Sequence, residues 1–193
     1  MRQLVVLVGL PGSGKTSFRE RHPKWAVVSR DDIRRTVFHR DFDLDYEDAV
    51  ERIFSVALVE AVQSPAPVVC VDNTNITRAE RQPLIEVASL AGREPVVHVM
   101  PLLPLEVMYE RKKKQLEDLA HDYPRLKVSG FPKDRYEAMY SRYEAVGEDE
   151  GFSKIINEVP LPSPLRHKKR ARVARRKRIR RVDELKPLPL FAQ

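Results

Sequence analysis

The sequence has a single cysteine, Cys70, and no apolar run long enough to cross a membrane. One cysteine excludes a disulfide framework and a cysteine-rich zinc site, and it is typical of a reducing compartment. The apolar N-terminal segment is too short for a signal peptide, and 193 residues suit one domain with a good core. We therefore expect a soluble cytoplasmic protein with no membrane partner, and the sequence leaves the oligomeric state open.

Acidic residues are missing from one stretch near the C-terminus. Arg166 to Arg181 contains 11 Lys or Arg and no acid, and removing these 11 charges from the net +7 leaves −4. The proline-containing segment 161–164 before it predicts a linker. We expect a folded domain at 1–160 and, at 161–193, a linker and basic tail that binds nucleic acid, because neutralised phosphates release counterions. A solvated tail or a contact for an acidic protein is the alternative.

The most informative motif directly follows the apolar run 4–8. Residues 9–16 fit G-x-x-x-x-G-K-[ST], the P-loop pattern of a buried strand, a glycine turn and a helix. Glycines let backbone N–H groups curl around phosphate oxygens, Lys15 adds a positive charge, and the Thr16 hydroxyl is a ligand for Mg²⁺. A chance glycine turn is the alternative, which the flanking strand and helix patterns disfavour. The predicted ATP-binding residues are Gly9, Pro11, Gly12, Ser13, Gly14, Lys15, Thr16 and Ser17, with Thr16 on Mg²⁺.

Short apolar runs alternate with longer amphipathic runs along the chain. This alternation predicts an α/β fold of the P-loop NTPase or kinase type, with a parallel sheet flanked by helices. The predicted strands are 3–8, 25–29, 67–72, 95–100 and 153–159. The predicted helices begin at the P-loop and near residue 31, and continue at 46–63, 77–91, 105–120 and 132–145. Thr77 and Glu80 match a capping box at the start of one helix, and Gly92 would end it.

Two carboxylates follow the second predicted strand, at Asp31 and Asp32. The carboxyl ends of parallel strands share one edge of a sheet, so these acids would face the same cleft as the P-loop. A carboxylate there can accept the proton of an attacking hydroxyl. Ser29 and Asp32 also match a capping box, and a helix dipole favours acids in the first turn, so one acid can serve local structure alone.

Asp72 ends the third predicted strand and is followed by Asn73, Thr74 and Asn75. An acid at this point of a P-loop protein is ordinarily the Walker B aspartate near magnesium. The residues after it also suit a simple polar turn, because Asn and Thr side chains bond to nearby backbone. The position alone leaves both interpretations open.

A basic cluster, Glu-Arg-Lys-Lys-Lys-Gln at 110–115, lies on the predicted helix 105–120. Kinases need cations that close over the phosphates and stabilise charge on the transferred group. The order of the elements favours a helical lid at this point. A solvated helix face is the alternative.

Together these segments resemble the kinase module of the phage-type polynucleotide kinase family, over about residues 3–145. Related P-loop kinases of other acceptors share part of the pattern. The resemblance implies a P-loop kinase domain at 1–160 that uses ATP and Mg²⁺. Its carriers are GLPGSGKTSF at 9–18, SRDDIR at 29–34, VDNTNITRAER at 71–81, the lid helix, and FPKDRYEAMYSRYEA at 131–145.

The resemblance also implies a role for each matching residue. Lys15 and Thr16 would hold the donor phosphates and Mg²⁺, and Asp31 would be the general base on the acceptor hydroxyl. Arg34 would hold a phosphate of the acceptor strand, and Asp72 would orient Arg34 instead of binding metal. The implied acceptor-binding residues are Arg34, Asp72, Asn73 and Thr74.

In the lid, Arg111 matches a family arginine and would act on the developing charge. The arginine expected four residues later is Gln115 here, so Lys114 or Arg125 would be the second lid cation. The acids of segment 41–45 have a phosphatase-like spacing but no preceding apolar strand, so we expect no phosphatase half.

The expected function is that of a P-loop phosphotransferase in nucleic acid modification or repair. It would transfer the γ-phosphoryl of ATP in line to a hydroxyl of DNA or RNA, at a 5′ end. One alternative is a phage kinase that phosphorylates hydroxymethyl pyrimidines within DNA. A small-molecule kinase is another, which the basic tail disfavours. A nucleotide-switched nucleic-acid-binding module is the non-enzymatic alternative, which Asp31 and Arg34 disfavour because a switch needs no acceptor base.

Overall fold

All five predicted strands occur in the computed structural model, which describes residues 2–159. They are β1 (Gln3–Val8), β2 (Ala26–Val28), β3 (Val68–Asp72), β4 (Glu94–Val99) and β5 (Lys154–Asn157). They form one sheet in the order β2-β3-β1-β4-β5, and each neighbouring pair is parallel. The prediction of an α/β fold with a parallel sheet and flanking helices is confirmed. The predicted linker and tail at 161–193 lie outside the described residues.

Helices connect the strands and differ from the predicted ones mainly at their ends. Helix α3 begins before its predicted start because the Asp43 side chain caps it, accepting a 3.3 Å hydrogen bond from the Asp45 N–H. Helix α6 ends before residue 145, and the Glu144 N–H beyond it bonds to the Ile76 carbonyl at 2.9 Å. The α-helices of residues 2–159 are α1 (Lys15–Glu20), α2 (Arg30–Val37), α3 (Leu44–Gln63), α4 (Arg78–Leu90), α5 (Leu105–Asp122) and α6 (Lys133–Ser141).

Strand β1 is buried on both faces, which explains its unbroken apolar run. Leu4 and Val6 pack in a cluster with side chains of α3 and α4, whereas Val5 and Leu7 pack with Phe18 of α1. Successive side chains of a strand point to opposite faces. Helices therefore cover both sides of the sheet and leave its carboxyl edge to the loops.

The sheet register brings three of these loops together. Asp72 at the end of β3 lies opposite Leu7 of β1, and Val28 of β2 lies opposite Val71. The loops after β1, β2 and β3 therefore start side by side at the carboxyl edge of the sheet. The residues that the sequence predicts for the site lie at the end of one of these strands, after it, or on α5, except for Arg125, which lies just beyond α5.

The helices α5 and α6 pack against the loop after β1 through a third apolar cluster. Its buried members are Leu10 from the loop, Ile76 before α4, Met108 from α5 and Tyr136 from α6. None of the helices in residues 2–159 combines the length and hydropathy that a membrane crossing requires.

The single cysteine, Cys70 of β3, is fully buried in the cluster that contains Phe18. Burial raises the pKa of its thiol, and the neighbouring Asp72 carboxylate raises it further. The thiol is therefore protonated and inaccessible in the folded protein.

Two buried arginines bind groups that are distant in the sequence. Arg81 of α4 is fully buried and donates two hydrogen bonds of 2.7 Å to the Glu150 carboxylate. Arg93 donates to the carbonyls of Val62 at 2.6 Å and Ser64 at 2.8 Å. The Arg93 contacts satisfy carbonyl groups that the end of α3 leaves without helical partners.

Candidate active site

The loop after β1 has the backbone conformation that its glycines predict. Gly12 and Gly14 have φ values of +85° and +103°, which residues with side chains rarely adopt. A Cβ at Gly12 would also overlap the Met108 carbonyl oxygen of α5, whereas the space beside Gly14 is open. The hydroxyl oxygen of Ser13 is buried without a hydrogen-bond partner among residues 2–159. A buried polar atom without a partner, in a loop with left-handed glycine backbone, fits a loop that binds phosphate.

Lys15, the first residue of α1, is folded back onto this loop. Its Nζ donates hydrogen bonds to the carbonyl oxygens of Gly9 at 2.6 Å and Leu10 at 3.0 Å. Burial lowers the pKa of its amine to about 8, although the carboxylates of Asp72 and Asp31 raise it. The amine is thus mostly protonated at neutral pH and carries a positive charge at the loop.

Asp31 lies in the first turn of α2, and its side chain is 51% exposed. It accepts a 2.6 Å hydrogen bond from Arg34 Nη1, and Arg35 Nη2 lies 3.8 Å from its other oxygen. Partial burial would raise the pKa of Asp31, but Lys112, Arg34, Arg35 and Lys15 outweigh it and hold that pKa below the usual value. The carboxylate is therefore ionised at neutral pH and can accept a proton or a hydrogen bond.

Asp32, the next residue, has different partners. Its backbone N–H donates to the Ser29 hydroxyl at 3.3 Å, which caps α2 as predicted. Its carboxylate does not complete the capping box and binds both terminal nitrogens of Arg19, at 2.7 and 3.1 Å. The two neighbouring acids therefore differ: Asp31 is surrounded by cations at the cleft, and Asp32 holds α1 against α2.

Arg34 is held by Glu47 of α3 and not by Asp72. Its Nη2 and Nε donate to the two Glu47 oxygens at 2.6 and 2.8 Å. The expected contact between Asp72 and Arg34 is therefore wrong for this chain. Asp72 instead lies 3.0 Å from Nη1 of Arg19. The exchange arises because α1 carries an arginine within reach of the β3 terminus, while Arg34 points toward α3.

Asp72 is buried, with a side chain 7% exposed. Burial raises the pKa of its carboxyl group, and the positive charges of Lys15 and Arg19 oppose that rise. The residues that follow bond to neighbouring loops. Asn73 Oδ1 accepts a 3.0 Å hydrogen bond from the Arg30 N–H, and the Thr74 carbonyl accepts one of 2.9 Å from the Gly9 N–H. The segment thus joins the P-loop to α2, as a polar turn would.

The lid helix α5 lies over the P-loop and presents one lysine toward the acids. Among the charged groups around Asp31, Lys112 does most to lower the Asp31 pKa. Burial lowers the pKa of Lys112 itself, and Asp31 opposes this. Arg111, in contrast, is exposed, as are Lys114 and Arg125. Arg111, which the resemblance places on the developing charge, therefore lies on the exposed face of the lid helix.

Helix geometry could have identified Lys112 from the sequence. Met108 and Leu116 of α5 are buried, and Lys112 lies four residues from each. Residues four apart share one face of a helix. Two further site residues, Arg19 and Glu47, were also missed, and only the four-residue spacing from Lys15 to Arg19 gave a signal.

The acids of segment 41–45 serve the loop that connects α2 to α3. Asp41 Oδ1 accepts a 2.6 Å hydrogen bond from the Ser129 N–H, and Asp43 lies 2.7 Å from Arg40 Nη1. The Ser129 hydroxyl donates to the Phe42 carbonyl at 2.8 Å. These contacts attach the loop after α5 to the loop after α2.

The donor set around the P-loop fits a magnesium ion that arrives with a nucleotide. No cluster of three metal-binding side chains occurs among residues 2–159. Magnesium commonly takes only one or two protein oxygens and fills its other positions with phosphate and water. The Thr16 hydroxyl, directly after Lys15, can supply such an oxygen, and Asp72 is the buried carboxylate at the same sheet edge.

These features define the P-loop kinase fold: the P-loop follows the central strand of a parallel five-stranded sheet, α2 carries the acids, and a helical lid lies over the loop. The chain belongs to a family described as an AAA domain, whose model matches residues 4–145. This fold implies nucleotide binding. The resemblance to polynucleotide kinases is confirmed at this broader level, as a P-loop kinase fold. No curated protein sequence matches the chain.

Several solved structures share the fold at low sequence identity. A protein of Chloroflexus aurantiacus has a TM-score of 0.60 at 14% identity, covering 81% of this chain and 88% of that one. A chain of the Pnkp1/Rnl/Hen1 RNA repair complex has a TM-score of 0.58 at 22% identity, over 73% of this chain. A fungal RNA kinase has a TM-score of 0.50 at 16% sequence identity, covering 82% of this chain and 74% of that one. The match to the repair complex spans only 43% of its chain.

Proposed function

We propose that the protein is an ATP-dependent kinase that phosphorylates a hydroxyl group of a nucleic acid, a 5′-hydroxyl end in DNA or RNA. The observation that carries this proposal is the pairing of a donor-side cation with an acceptor-side base. Lys15 on the P-loop and Asp31 on α2 each affect the pKa of the other. Arg34, Arg35 and Lys112 surround the same carboxylate.

Catalysis in phosphoryl transfer consists largely of positioning and charge stabilisation. Backbone N–H groups of the P-loop and the Lys15 amine would hold the donor phosphates. To do so, Lys15 would give up its hydrogen bonds to the carbonyls of Gly9 and Leu10 and donate to phosphate oxygens instead. Asp31 would accept the proton of the attacking hydroxyl at its free oxygen positions. A carboxylate with a lowered pKa is a weak base, so its main task is to orient the hydroxyl in line and to take the proton late.

Thr16 would hold magnesium that is carried by the nucleotide, and the Asp72 carboxylate at the same sheet edge would accept hydrogen bonds from its water ligands. Bound there, the ion would neutralise charge on the phosphates and polarise the phosphoryl group.

Two features support a nucleic acid as the acceptor. Arg34 and Arg35 present guanidinium groups beside the proposed base, and guanidinium groups match phosphate geometry. The run from Arg166 to Arg181 adds 11 positive charges to the same chain, which suits a polymeric phosphate backbone. The fungal RNA kinase and the RNA repair complex have the same fold, which is compatible with this acceptor class.

The decisive experiment incubates the protein with γ-labelled ATP and a panel of acceptors. The panel contains 5′-hydroxyl DNA and RNA oligonucleotides, duplexes with internal hydroxymethyluracil, and free nucleosides. Each 5′-hydroxyl oligonucleotide has a matched control that already carries a 5′-phosphate. We expect label on the 5′-hydroxyl oligonucleotides, none on their controls, and much slower labelling with the Asp31→Asn variant. Label only on hydroxymethyluracil or only on nucleosides would reject the 5′-end proposal in favour of that acceptor.

A further inference from the structure

Phe42, in the loop between α2 and α3, lies next to the guanidinium groups of two arginines from different helices. The Cζ atom of Arg34 on α2 lies 5.6 Å from the centre of the ring, and the Cζ atom of Arg135 on α6 lies 4.0 Å from it. Arg34 also donates a 2.6 Å hydrogen bond to Asp31, the proposed base. A row of contacts therefore leads from the proposed base along Arg34 and Phe42 to α6.

The two arginines differ in how their charge is compensated. Arg34 is bound by two carboxylates, and its side chain is 14% exposed. Arg135 is exposed and forms no ion pair or hydrogen bond with any other group of residues 2–159. Its contacts are with the rings of Phe42 and, at 5.7 Å, Phe131. Arg135 thus presents an uncompensated positive charge to solvent at the end of the row of contacts.

Hydrogen bonds between two loops fix the position of the Phe42 ring. Ser129, in the loop after α5, donates its hydroxyl to the Phe42 carbonyl at 2.8 Å and its N–H to Asp41 Oδ1 at 2.6 Å. In the same region, the Lys127 N–H donates to the His39 carbonyl at 3.0 Å. These bonds hold the loops after α2 and α5 together, so the ring is kept in place next to α6.

A guanidinium group stacked on an aromatic ring is well suited to bind a phosphate of a nucleic acid strand. The ring already orients the plane of the group, so less conformational freedom is lost when its N–H groups donate to phosphate oxygens. A phosphate also supplies the negative charge that Arg135 lacks among residues 2–159. Because Arg34 lies against the proposed base, a strand that continues along the row of contacts would bring a later phosphate to Arg135.

We propose that Arg135 binds a second phosphate of the acceptor strand, and that Phe42 is a positioning residue that holds the Arg135 guanidinium group for this contact. The inference rests on the proposed function for the identity of the reacting hydroxyl, whereas binding of a strand at Arg135 can be measured without turnover. The site then favours an acceptor with several phosphates over a nucleoside or a single nucleotide.

The primary test measures binding of a short single-stranded oligonucleotide, labelled with a fluorophore at its 3′ end, to the full chain without ATP. We expect Arg135→Gln to weaken binding about tenfold, the effect of losing one charge-assisted contact. The slope of log affinity against log salt should become shallower by about 0.7. Arg142→Gln is the matched control, because it removes the same charge from the C-terminal end of α6. It should change neither property.

A double-mutant cycle tests whether Phe42 acts through Arg135. Phe42→Leu keeps an apolar side chain and removes the aromatic ring. It should weaken binding in the wild-type chain and have little further effect in Arg135→Gln. Additive losses would overturn the positioning role of Phe42. If Phe42→Leu does not fold, Arg135→Lys serves instead, since it keeps the charge without the planar group and should restore only part of the affinity.

Turnover gives a separate measurement. In Arg135→Gln the loss should appear in the acceptor KM and not in kcat, and it should be larger for an oligonucleotide than for a nucleoside 3′-monophosphate, which carries one phosphate. Unchanged binding in Arg135→Gln, or an equal loss in Arg142→Gln, would overturn the inference. Lower thermal stability with unchanged binding would assign the contact between Arg135 and Phe42 to the packing of α6 alone.

The inference and the proposed function can fail independently. Transfer of label to 5′-hydroxyl oligonucleotides, together with unchanged binding in Arg135→Gln, would reject the inference and keep the proposed function. Binding that depends on Arg135, with no transfer to any oligonucleotide, would reject the proposed function and keep the strand-binding site.

Discussion

The hydroxyl group of Tyr136 donates a 2.6 Å hydrogen bond to the carbonyl oxygen of Pro11 and so joins α6 directly to the P-loop. Tyr136 is fully buried, and Tyr109 and Phe131 contact its ring edge-on at 5.4 and 5.7 Å between centroids. The Met108 carbonyl of α5 lies against Gly12 in the same loop. The lid helices therefore rest on the phosphate-binding loop, and nucleotide affinity and lid position should depend on each other.

Tyr136→Phe tests this dependence. The variant leaves the Pro11 carbonyl without its partner, and we expect stability to fall by about 1 kcal/mol and the nucleotide Kd to rise several-fold. Tyr140→Phe is the control on the same helix, because its hydroxyl makes only a long 3.4 Å contact to the Leu103 carbonyl. Thermal unfolding and calorimetric titration with nucleotide measure both effects. Equal Kd values for the two variants would mean that the lid and the loop are independent.

Lys15 predicts a pH dependence of nucleotide binding. Its amine is charged below its pKa of about 8 and loses the charge as pH rises through that value. Nucleotide affinity should therefore be constant on the acid side and weaken on the alkaline side. Lys15→Arg should weaken this alkaline decline, because arginine does not deprotonate there. An alkaline decline of the same size in Lys15→Arg would assign the titration to another group.

Lys15→Ala should abolish phosphoryl transfer while the protein stays folded, because Lys15 lies on the loop and fills no part of the apolar clusters. Circular dichroism and transfer of label from γ-labelled ATP measure the two properties. Near-normal transfer to any acceptor would reject the kinase assignment.

Asp31 and Asp32 should differ strongly in their effect on catalysis. Asp31→Asn removes the proposed proton acceptor from the cation-lined position, and we expect single-turnover rates to fall by about 10²–10⁴-fold with the fold retained. Asp32→Asn weakens only the Arg19 contact and should lower the rate far less. If both variants lose the same activity, neither carboxylate is distinguished as the base.

The lid offers a direct comparison of neighbouring cations. Lys112→Met should slow transfer more than Arg111→Met or Lys114→Met, because Lys112 acts on Asp31 while the other two are exposed. Lys112→Met should also raise the pKa of Asp31 toward its usual value and move the acid limb of the rate profile to higher pH. A larger loss in Arg111→Met would support the role that the family resemblance implies for Arg111.

The basic tail can be tested by truncation after Pro164. Short acceptors should be phosphorylated almost as before, because the proposed donor and acceptor residues all precede Pro164. Affinity for long DNA or RNA should fall, and the salt dependence should become shallower, since each lost phosphate contact removes roughly 0.7–0.9 from the slope of log affinity against log salt. An unchanged slope would assign the run from Arg166 to Arg181 to a protein partner or to none.

The strands could be predicted because each is a continuous apolar run between polar segments. Strand β1 shows why this works, because a strand that is buried on both faces needs no alternation of apolar and polar residues. The ends of elements were less predictable, as at α3, where Asp43 adds a cap that the apolar pattern does not contain. The P-loop was predictable because its glycines and Lys15 form a contiguous pattern.

The partners of the charged residues could not be predicted in the same way. Arg81 pairs with Glu150, 69 residues away, in a fully buried contact that local sequence does not signal. Arg19 likewise binds acids of other elements, and Glu47 binds a cation of another helix. Which partner each of them finds depends on which helix passes within reach. The resemblance supplied the pair Asp72 and Arg34, but a family pattern cannot reveal that α1 of this chain brings its own arginine to Asp72.

The burial of Cys70 makes this chain well suited to site-specific fluorescence. Its thiol is the only one in the sequence and stays protonated inside the sheet, so a cysteine introduced at Lys113 on the exposed face of α5 would react alone with a maleimide dye. The chain also has a single tryptophan, Trp25, whose ring stacks on His22 just after α1. Energy transfer from Trp25 to a dye at 113 would therefore report the distance between the P-loop helix and the lid as nucleotide is added, with no other residue to be replaced.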